Sequence, residues 1–183
     1  MAARLPFLIC LVELRQPHAG THSDHATALA FDLVHAADLE AKESDLLKFA
    51  ASIHDIGKIA INELVINKPG KFTEADYVRV QQHARLGASL VETLDIDPST
   101  HSITLNHHED FDGSGYPNGT SGGAIPRGAR ILRVADAYDA LTSDRGYRSA
   151  YSKKKSLEII EHDAQFFDPI LLELFFSKVA RKH

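Results

Sequence analysis

The sequence predicts an all-α fold, a compact bundle of about seven or eight helices. Apolar residues recur at helical spacing along most of the chain, and the strict alternation that a half-buried strand needs is scarce. At roughly 150 residues per domain, the 183 residues predict a single domain spanning 1–183. The composition, with 44% hydrophobic and 25% charged residues, excludes disordered, collagen-like and low-complexity chains.

Two helices open the predicted fold. Apolar spacing indicates the first over 22–37, and Ser44 is the predicted N-cap of the second. The second helix ends at 54–55, with Gly57 as its stop signal. The apolar run 5–12 is far shorter than the roughly 20 residues that span a bilayer, so we interpret it as the start of a core helix. No membrane insertion is expected.

Two further helices lead to the middle of the chain. Thr73, with an acidic residue three positions later, resembles a capping box, and the helix that it opens runs to about Leu94. His83 lies on the apolar face of this helix and is predicted to point inward. Asp97, followed by proline, is the predicted N-cap of a helix that reaches the histidine pair at 107–108.

A long loop precedes the last three predicted helices. Residues 110–126 contain five glycines and two prolines, and loops of this length in compact domains are usually functional. A helix is predicted over 127–141. Ser152 and Asp168 are the predicted N-caps of the two helices that close the chain.

Histidine is over-represented, with 11 copies in the chain against a single cysteine. Cys10 alone cannot form an internal disulfide or a thiolate zinc site, so a reducing cytoplasm is the expected setting and any metal needs nitrogen and oxygen ligands. The net charge of −5 argues against binding to duplex nucleic acid.

Seven histidines and aspartates lie at predicted helix ends or on inward faces. They are His22, His54, Asp55, His83, His107, His108 and Asp136. Imidazole and carboxylate ligands suit iron, manganese, nickel or zinc. Burying so many polar groups without partners would cost about 1–3 kcal/mol each, and a shared metal centre removes that cost. Two ions about 3.5–4 Å apart are the usual device for in-line phosphoester displacement.

The other six histidines have a simpler interpretation, as surface residues or residues with local hydrogen bonds. They are His18, His25, His35, His101, His162 and His183. A single inward histidine is also more often a satisfied core residue than a ligand. The prediction of a metal centre therefore depends on the seven residues jointly.

Three strings carry a family resemblance: His-Asp-Ile-Gly-Lys at 54–58, His-His-Glu at 107–109 and Asp-Gly-Ser-Gly-Tyr-Pro at 112–117. Together they resemble the HD-GYP subgroup of the HD phosphohydrolase superfamily, over about residues 11–176. The resemblance implies an all-α phosphodiesterase that hydrolyses the bacterial second messenger cyclic di-GMP. It also implies two or three metal ions, often iron or manganese.

The resemblance assigns the same seven residues to the metal site. His22 would open the site, and Asp55 would bridge two ions. Lys58 would contact phosphate and stabilise the negative charge of the transition state. Asp55 and Lys58 are accordingly the predicted catalytic residues.

The predicted substrate contacts follow the same resemblance. Asp139 would pair with a guanine edge, and Arg145 and Arg148 would bind phosphates bidentately. The loop with Tyr116 would lie near the base or the metal site, or would be a structural turn. The acids Glu109 and Asp112 would orient histidine N–H groups or cap helix ends.

The sequence departs from the family pattern at three positions. His25 stands where many members have arginine, and Gly146 stands where proline is usual. His18 stands where three-metal members have glutamate. We therefore expect two divalent ions, iron or manganese before nickel, zinc or magnesium, with His18 as the candidate ligand of a third ion.

The resulting hypothesis is that a hydroxide bridging the ions attacks a phosphorus of cyclic di-GMP and gives linear pGpG, with further hydrolysis to GMP left open. About 20 residues precede His22, too few for a sensor domain. Expected partners besides the nucleotide are signalling domains, a diguanylate cyclase and a second copy in a homodimer.

Other functions stay open at this point. One is a catalytically weak module that reports bound nucleotide or recruits a partner. Another is hydrolysis of a different cyclic dinucleotide or of a nucleoside phosphate. A di-iron oxygen carrier in a helical bundle is disfavoured, because Lys58, Arg145 and Arg148 suit phosphate and have no role in oxygen storage.

Overall fold

The computed structural model describes residues 19–68, 70–144 and 149–183, and it leaves out the side chains of residues 19–23. The predicted core segment 5–12 and His18 therefore lie outside the described residues, as do Arg145, Gly146 and Arg148.

The described residues form eight α-helices and no strand, which confirms the predicted all-α class. The helices are α1 (Ala19–Ala36), α2 (Ala41–Ile53), α3 (Glu63–Ile66), α4 (Glu74–Thr93), α5 (Pro98–Asn106), α6 (Arg127–Thr142), α7 (Lys153–His162) and α8 (Pro169–Leu174). Short 3₁₀ turns lie at Ile56–Ala60, Gly122–Ala124 and Ala164–Phe166, and a π-helical turn lies at Phe175–Val179.

Four predicted N-caps are confirmed. The Thr73 side chain accepts from the backbone three residues later and completes a reciprocal capping box at the start of α4. Asp97, Ser152 and Asp168 each accept a backbone N–H in the first turn of α5, α7 and α8. These local bonds satisfy donors that a helix start leaves without partners, so each helix begins where its cap stands.

The predicted N-cap of the second helix is wrong. The helix α2 begins at Ala41, with Glu40 at the N-cap position, and Ser44 is buried inside the first turn. The backbone N–H of Ser44 already donates to the Glu40 carbonyl at 2.9 Å. Since that is a helical i→i−4 bond, the start lies one turn earlier than the serine suggested.

The main core lies between α1 and α6 and is closed by the C-terminal helices. Leu33, Ile131, Leu132 and Phe175 are among its fully buried members. A smaller apolar cluster that includes Ile56 joins the end of α2 to α4. None of the described helices is both long enough and apolar enough to cross a membrane.

Candidate metal centre

The His54–Asp55 pair lies at a sharp change in backbone direction. His54 is the C-cap of α2, and Asp55, with φ −90° and ψ 5°, begins the 3₁₀ turn Ile56–Ala60. The backbone N–H of Lys58 donates to the Asp55 carbonyl at 2.9 Å. Both side chains of the pair are buried, so the turn directs them into the protein.

Gly57 has a different function from the predicted helix stop. A Cβ at this position would lie 2.0 Å from the His83 carbonyl oxygen and 2.5 Å from the Gly87 nitrogen. Its φ is outside the left-handed region, so the glycine is required for close approach of two backbones. This contact brings the turn after Asp55 against α4 next to His83.

Three buried histidines share one hydrogen-bonding arrangement. The Nδ1 atoms of His54, His83 and His107 lie 2.6–2.7 Å from backbone carbonyl oxygens three residues earlier. A carbonyl only accepts, so each Nδ1 carries the proton and each neutral ring presents the Nε2 lone pair on its other side. A hydrogen bond from the other ring nitrogen to a backbone carbonyl is typical of metal-binding histidines.

The Nε2 atoms converge on the Asp55 carboxylate. His83 Nε2 lies 3.3 Å from Asp55 Oδ1 and 3.3 Å from His107 Nε2. His54 Nε2 lies 3.5 Å from Asp55 Oδ2 and 3.7 Å from Oδ1 of Asp136 on α6. The carboxylate thus lies between two histidines, and a third histidine and a second carboxylate lie beside it.

His108 completes a group of four candidate ligands. Ligand atoms of Asp55, His83, His107 and His108 all lie within 4.8 Å of one another. The rings of His107 and His108 are 4.1 Å apart, and the rings of His83 and His108 are 5.1 Å apart. This donor set of imidazoles and carboxylate fits a divalent transition metal. His22 lies on α1, but its side chain is outside the described residues.

Burial keeps these imidazoles neutral. It lowers the pKa of His107 to about 3, an effect reinforced by the neighbouring His54 and His83. Burial also lowers the pKa of His83, and it holds the pKa of His108 well below its usual value. Only the deprotonated ring can bind a metal, so the site holds its histidines in the binding form.

Lys58 lies at the edge of the cluster. Its ammonium group pairs with Asp55 Oδ2, and its side chain is partly exposed. The 3₁₀ turn places this cation on the same side as the carboxylate, one turn after it. The arrangement leaves a positive charge between the buried donors and the protein surface.

Glu109 anchors the loop that follows the histidine pair. Its carboxylate is buried and accepts from the backbone N–H groups of Asn118 at 2.7 Å and Thr120 at 2.9 Å. The two hydrogen bonds fix the loop directly beside 107–108. In the structure Glu109 therefore binds loop amides, and Asp112 forms a local turn by accepting from Ser114.

Tyr116 lies over the outer face of the cluster. Its ring stacks on His108, with centroids 4.7 Å apart and planes 28° apart, and its N–H donates to the His108 carbonyl. A Cβ on Gly115 would lie 2.1 Å from the Asp110 nitrogen, so glycine lets the loop pass close to this backbone. The structure thus places the predicted Tyr116 beside the predicted ligands.

Arg85 on α4 also contacts this loop, which the sequence did not predict. Its guanidinium donates to the Pro117 carbonyl at 2.9 Å and to Asn118 Oδ1 at 2.8 Å. The only feature of the sequence that linked Arg85 to the site was its position two residues after His83. Its partners are more than 30 residues away in sequence.

Asp139 lies one turn after Asp136 on α6 and is buried. It accepts from Ser143 Oγ at 2.9 Å, and its Oδ1 lies 3.4 Å from Nδ1 of His25. The His25 side chain is 67% exposed. Arg145 and Arg148, the other predicted substrate contacts, lie outside the described residues.

The remaining described histidines stay away from the cluster. His35 contacts the Phe31 ring, and His183 pairs with Asp32 at the surface. His101 is partly exposed and His162 is exposed. These positions agree with the surface or local interpretation made from the sequence.

Comparison with known proteins identifies the class to which this fold and site belong. The HD-domain family model matches residues 6–171. The chain therefore belongs to the HD-domain family. A solved HDG"Y"P protein from Bdellovibrio bacteriovorus superposes with a TM-score of 0.71 at 21% identity, covering 85% of this chain and 50% of that chain. The superposition supports the helical fold.

Two curated relatives from Vibrio cholerae serotype O1 are more similar in sequence. One, named cyclic di-GMP phosphodiesterase, is 36% identical over 186 residues, which cover 93% of this chain and 38% of the relative. The other, named 3'3'-cGAMP-specific phosphodiesterase 2, is 32% identical and covers 91% of this chain and 32% of the relative. The chain thus spans about a third of the length of these relatives.

Proposed function

We propose that the protein is a metal-dependent phosphodiesterase that hydrolyses cyclic di-GMP to linear pGpG, with further hydrolysis to GMP left open. The convergence of His54, His83 and His107 on Asp55 carries the proposal. The Nε2 atoms of His54 and His83 lie 3.5 and 3.3 Å from its buried carboxylate, and His107 Nε2 lies 3.3 Å from His83 Nε2. This arrangement suits a bound cation.

The proposed ligands are the seven residues predicted from the sequence. Six of them have described side chains: Asp55, and around it His54, His83, His107, His108 and Asp136. His22 would complete the set from α1. We propose two divalent ions, iron or manganese, because a carboxylate between two groups of imidazoles can serve both ions. His18 remains the candidate for a third ion.

Bound divalent ions would supply a nucleophile near neutral pH, by lowering the pKa of water, and would offset charge on phosphoryl oxygens. The residues of the chain act around that chemistry. The Asp55 carboxylate lies between His54 and His83, which keeps the donor groups of these residues close together. Lys58, at the partly exposed edge, is placed to bind a phosphoryl oxygen and to stabilise its developing charge.

The substrate assignment depends on the neighbouring surface. Tyr116, stacked on His108, offers an aromatic face and a phenol beside the ligands. Asp139 is the proposed guanine contact, and Arg145 and Arg148 are the proposed phosphate contacts. The relatives named cyclic di-GMP phosphodiesterases in Vibrio cholerae and Xanthomonas campestris support this choice of nucleotide.

A second candidate substrate is 3'3'-cGAMP, because relatives with 32–36% identity are named as specific for it. The two substrates differ in one purine base and share their phosphodiester bonds. The metal centre and Lys58 would serve both equally. The discrimination must then come from groups that contact the base.

The test combines metal analysis with product identification. Protein purified without oxygen should contain close to two metal ions per chain and should convert cyclic di-GMP to pGpG faster than it converts 3'3'-cGAMP. Asp55→Ala should lose both metal and hydrolysis. Preferential hydrolysis of 3'3'-cGAMP would select the second candidate. Tight binding without cleavage in the metal-loaded protein would indicate a nucleotide-reporting module.

A further inference from the structure

Arg85 connects α4 to the loop that carries Tyr116. The guanidinium group donates to the carbonyl of Pro117 and to the side-chain oxygen of Asn118, at 2.9 and 2.8 Å. Both acceptors belong to residues that directly follow Tyr116. The arginine is exposed, so solvent competes for these bonds, yet the two acceptors give it one defined geometry.

The other described hydrogen bonds of segment 113–121 go to different parts of the chain. They run to residues 108–112, the stretch that follows α5, or stay within the loop itself. Among the described residues, Arg85 therefore supplies the hydrogen bonds between this segment and α4. Without them the described hydrogen bonds of the segment would run only to residues 108–112 and within the loop.

This second attachment lies directly after Tyr116, which packs against the predicted metal ligands. Tyr116 stacks on His108 from the loop, and its ring centroid is 6.3 Å from that of His83 on α4. His83 and Arg85 are two residues apart on one helix. The helix that carries a proposed ligand thus also holds the loop that covers the ligand group.

We infer that Arg85 is a positioning residue, which holds Tyr116 over the metal centre and so determines how the substrate is placed there. The inference extends the proposed phosphodiesterase function and rests on it. Arg85 is not assigned to the chemistry itself, because its described hydrogen bonds go to the loop. A guanidinium that bound substrate phosphate directly would also affect turnover, so the experiment must distinguish these two roles.

The experiment compares Arg85→Ala with Arg85→Lys and with a matched control, Arg79→Ala. Arg79 is an exposed arginine of the same helix, for which no contact to the loop is described. Alanine is the best helix former, so the substitutions leave α4 intact. Amide hydrogen exchange at Tyr116 and Asn118 measures how often the loop opens. Metal content measures whether the site still binds its ions, and kcat and KM for cyclic di-GMP measure its activity.

In Arg85→Ala the two amides should exchange roughly tenfold faster, with unchanged metal content, because a loop bound at one side opens more often. The ratio kcat/KM should fall by a similar factor. Arg85→Lys should restore neither fully, because both bonds come from the guanidinium Nη2. A lysine Nζ lies one bond closer to the backbone, so it falls short of the two acceptors. Arg79→Ala should match the wild type in every measurement.

Two results would overturn the inference. One is unchanged amide exchange in Arg85→Ala, whatever the effect on turnover. The other is full recovery of turnover in Arg85→Lys while exchange stays fast, which would assign the arginine to the substrate charge. If the wild-type protein hydrolyses no cyclic dinucleotide, the proposed function fails, and the exchange measurement still decides whether Arg85 holds the loop.

Discussion

His83 and His107 face each other with their Nε2 atoms 3.3 Å apart, while the Nδ1 of each ring bonds to a backbone carbonyl. Two neutral rings in this state direct lone pairs at each other, which is unfavourable unless a proton or a cation lies between them. The pKa of each ring is lowered, so neither ring readily binds that proton. The pair is therefore arranged for a metal ion.

The same pair makes the metal-free protein sensitive to acid. The folded-state pKa of His107 is about 3, below the unfolded value near 6.5. Between these two pH values the unfolded chain therefore binds a proton that the folded chain does not. The free energy of unfolding should fall as pH falls from about 6.5 towards 3, by about 1.4 kcal/mol per pH unit for each such histidine. Urea unfolding of chelator-treated protein measures this slope.

A matched pair of variants isolates the effect. His107→Gln removes a buried titrating ring and should reduce the slope by about one proton. His35→Gln changes an exposed ring and should leave the slope as it is. Equal slopes in the two variants would mean that the buried ring does not resist protonation.

Asp55 is expected to be essential for metal binding and turnover. Its carboxylate lies between His54 and His83, so Asp55→Ala removes the donor that joins the two sides of the site. Hydrolysis should fall by at least about a thousandfold, since metal ions contribute several kcal/mol to such reactions. Asp45→Ala, an exposed change on α2, is the control. Wild-type hydrolysis by Asp55→Ala would refute the two-metal proposal.

Lys58 is expected to affect the rate without affecting the metal. The ammonium group is at the edge of the cluster and is not part of the imidazole set. In Lys58→Ala, kcat should fall about a hundredfold, the lower range for loss of one charge-stabilising donor. Elemental analysis should still find the wild-type metal content. Loss of metal from Lys58→Ala would mean that Lys58 stabilises the metal site instead of the transition state. Lys71→Ala, a change of an exposed lysine, is the control.

Gly57 is expected to tolerate no side chain. The Cβ of Gly57→Ala would lie 2.0 Å from the His83 carbonyl oxygen, so the 3₁₀ turn and α4 must separate. We expect a loss of about 3 kcal/mol in the free energy of unfolding, together with weaker metal binding. Gly123→Ala, whose Cβ would meet nothing within 4 Å, should be neutral. A Gly57→Ala loss as small as that of Gly123→Ala would contradict the steric requirement.

Gly57 also shows where prediction from the sequence ended. Helix periodicity and capping residues such as Thr73 predicted the all-α fold, because these signals act within a few residues. The inward position of His83 followed from the same periodicity. The close approach of Gly57 to α4 and the Arg85 contact could not be predicted, since each joins segments that are distant in the sequence.

Glu109 is expected to be a structural requirement of the loop. Each carboxylate oxygen accepts one backbone N–H, from Asn118 or Thr120, in a buried environment. Glu109→Gln keeps one acceptor and turns an NH₂ group towards the other amide, which then loses its partner. The free energy of unfolding should fall by about 2 kcal/mol, the usual cost of a buried donor left unsatisfied.

Asp112→Asn changes an exposed acid of the same loop and should cost far less. Urea unfolding measures both variants, and amide exchange at Thr120 should accelerate only in Glu109→Gln. Equal stability losses in the two variants would show that Glu109 does not anchor the loop.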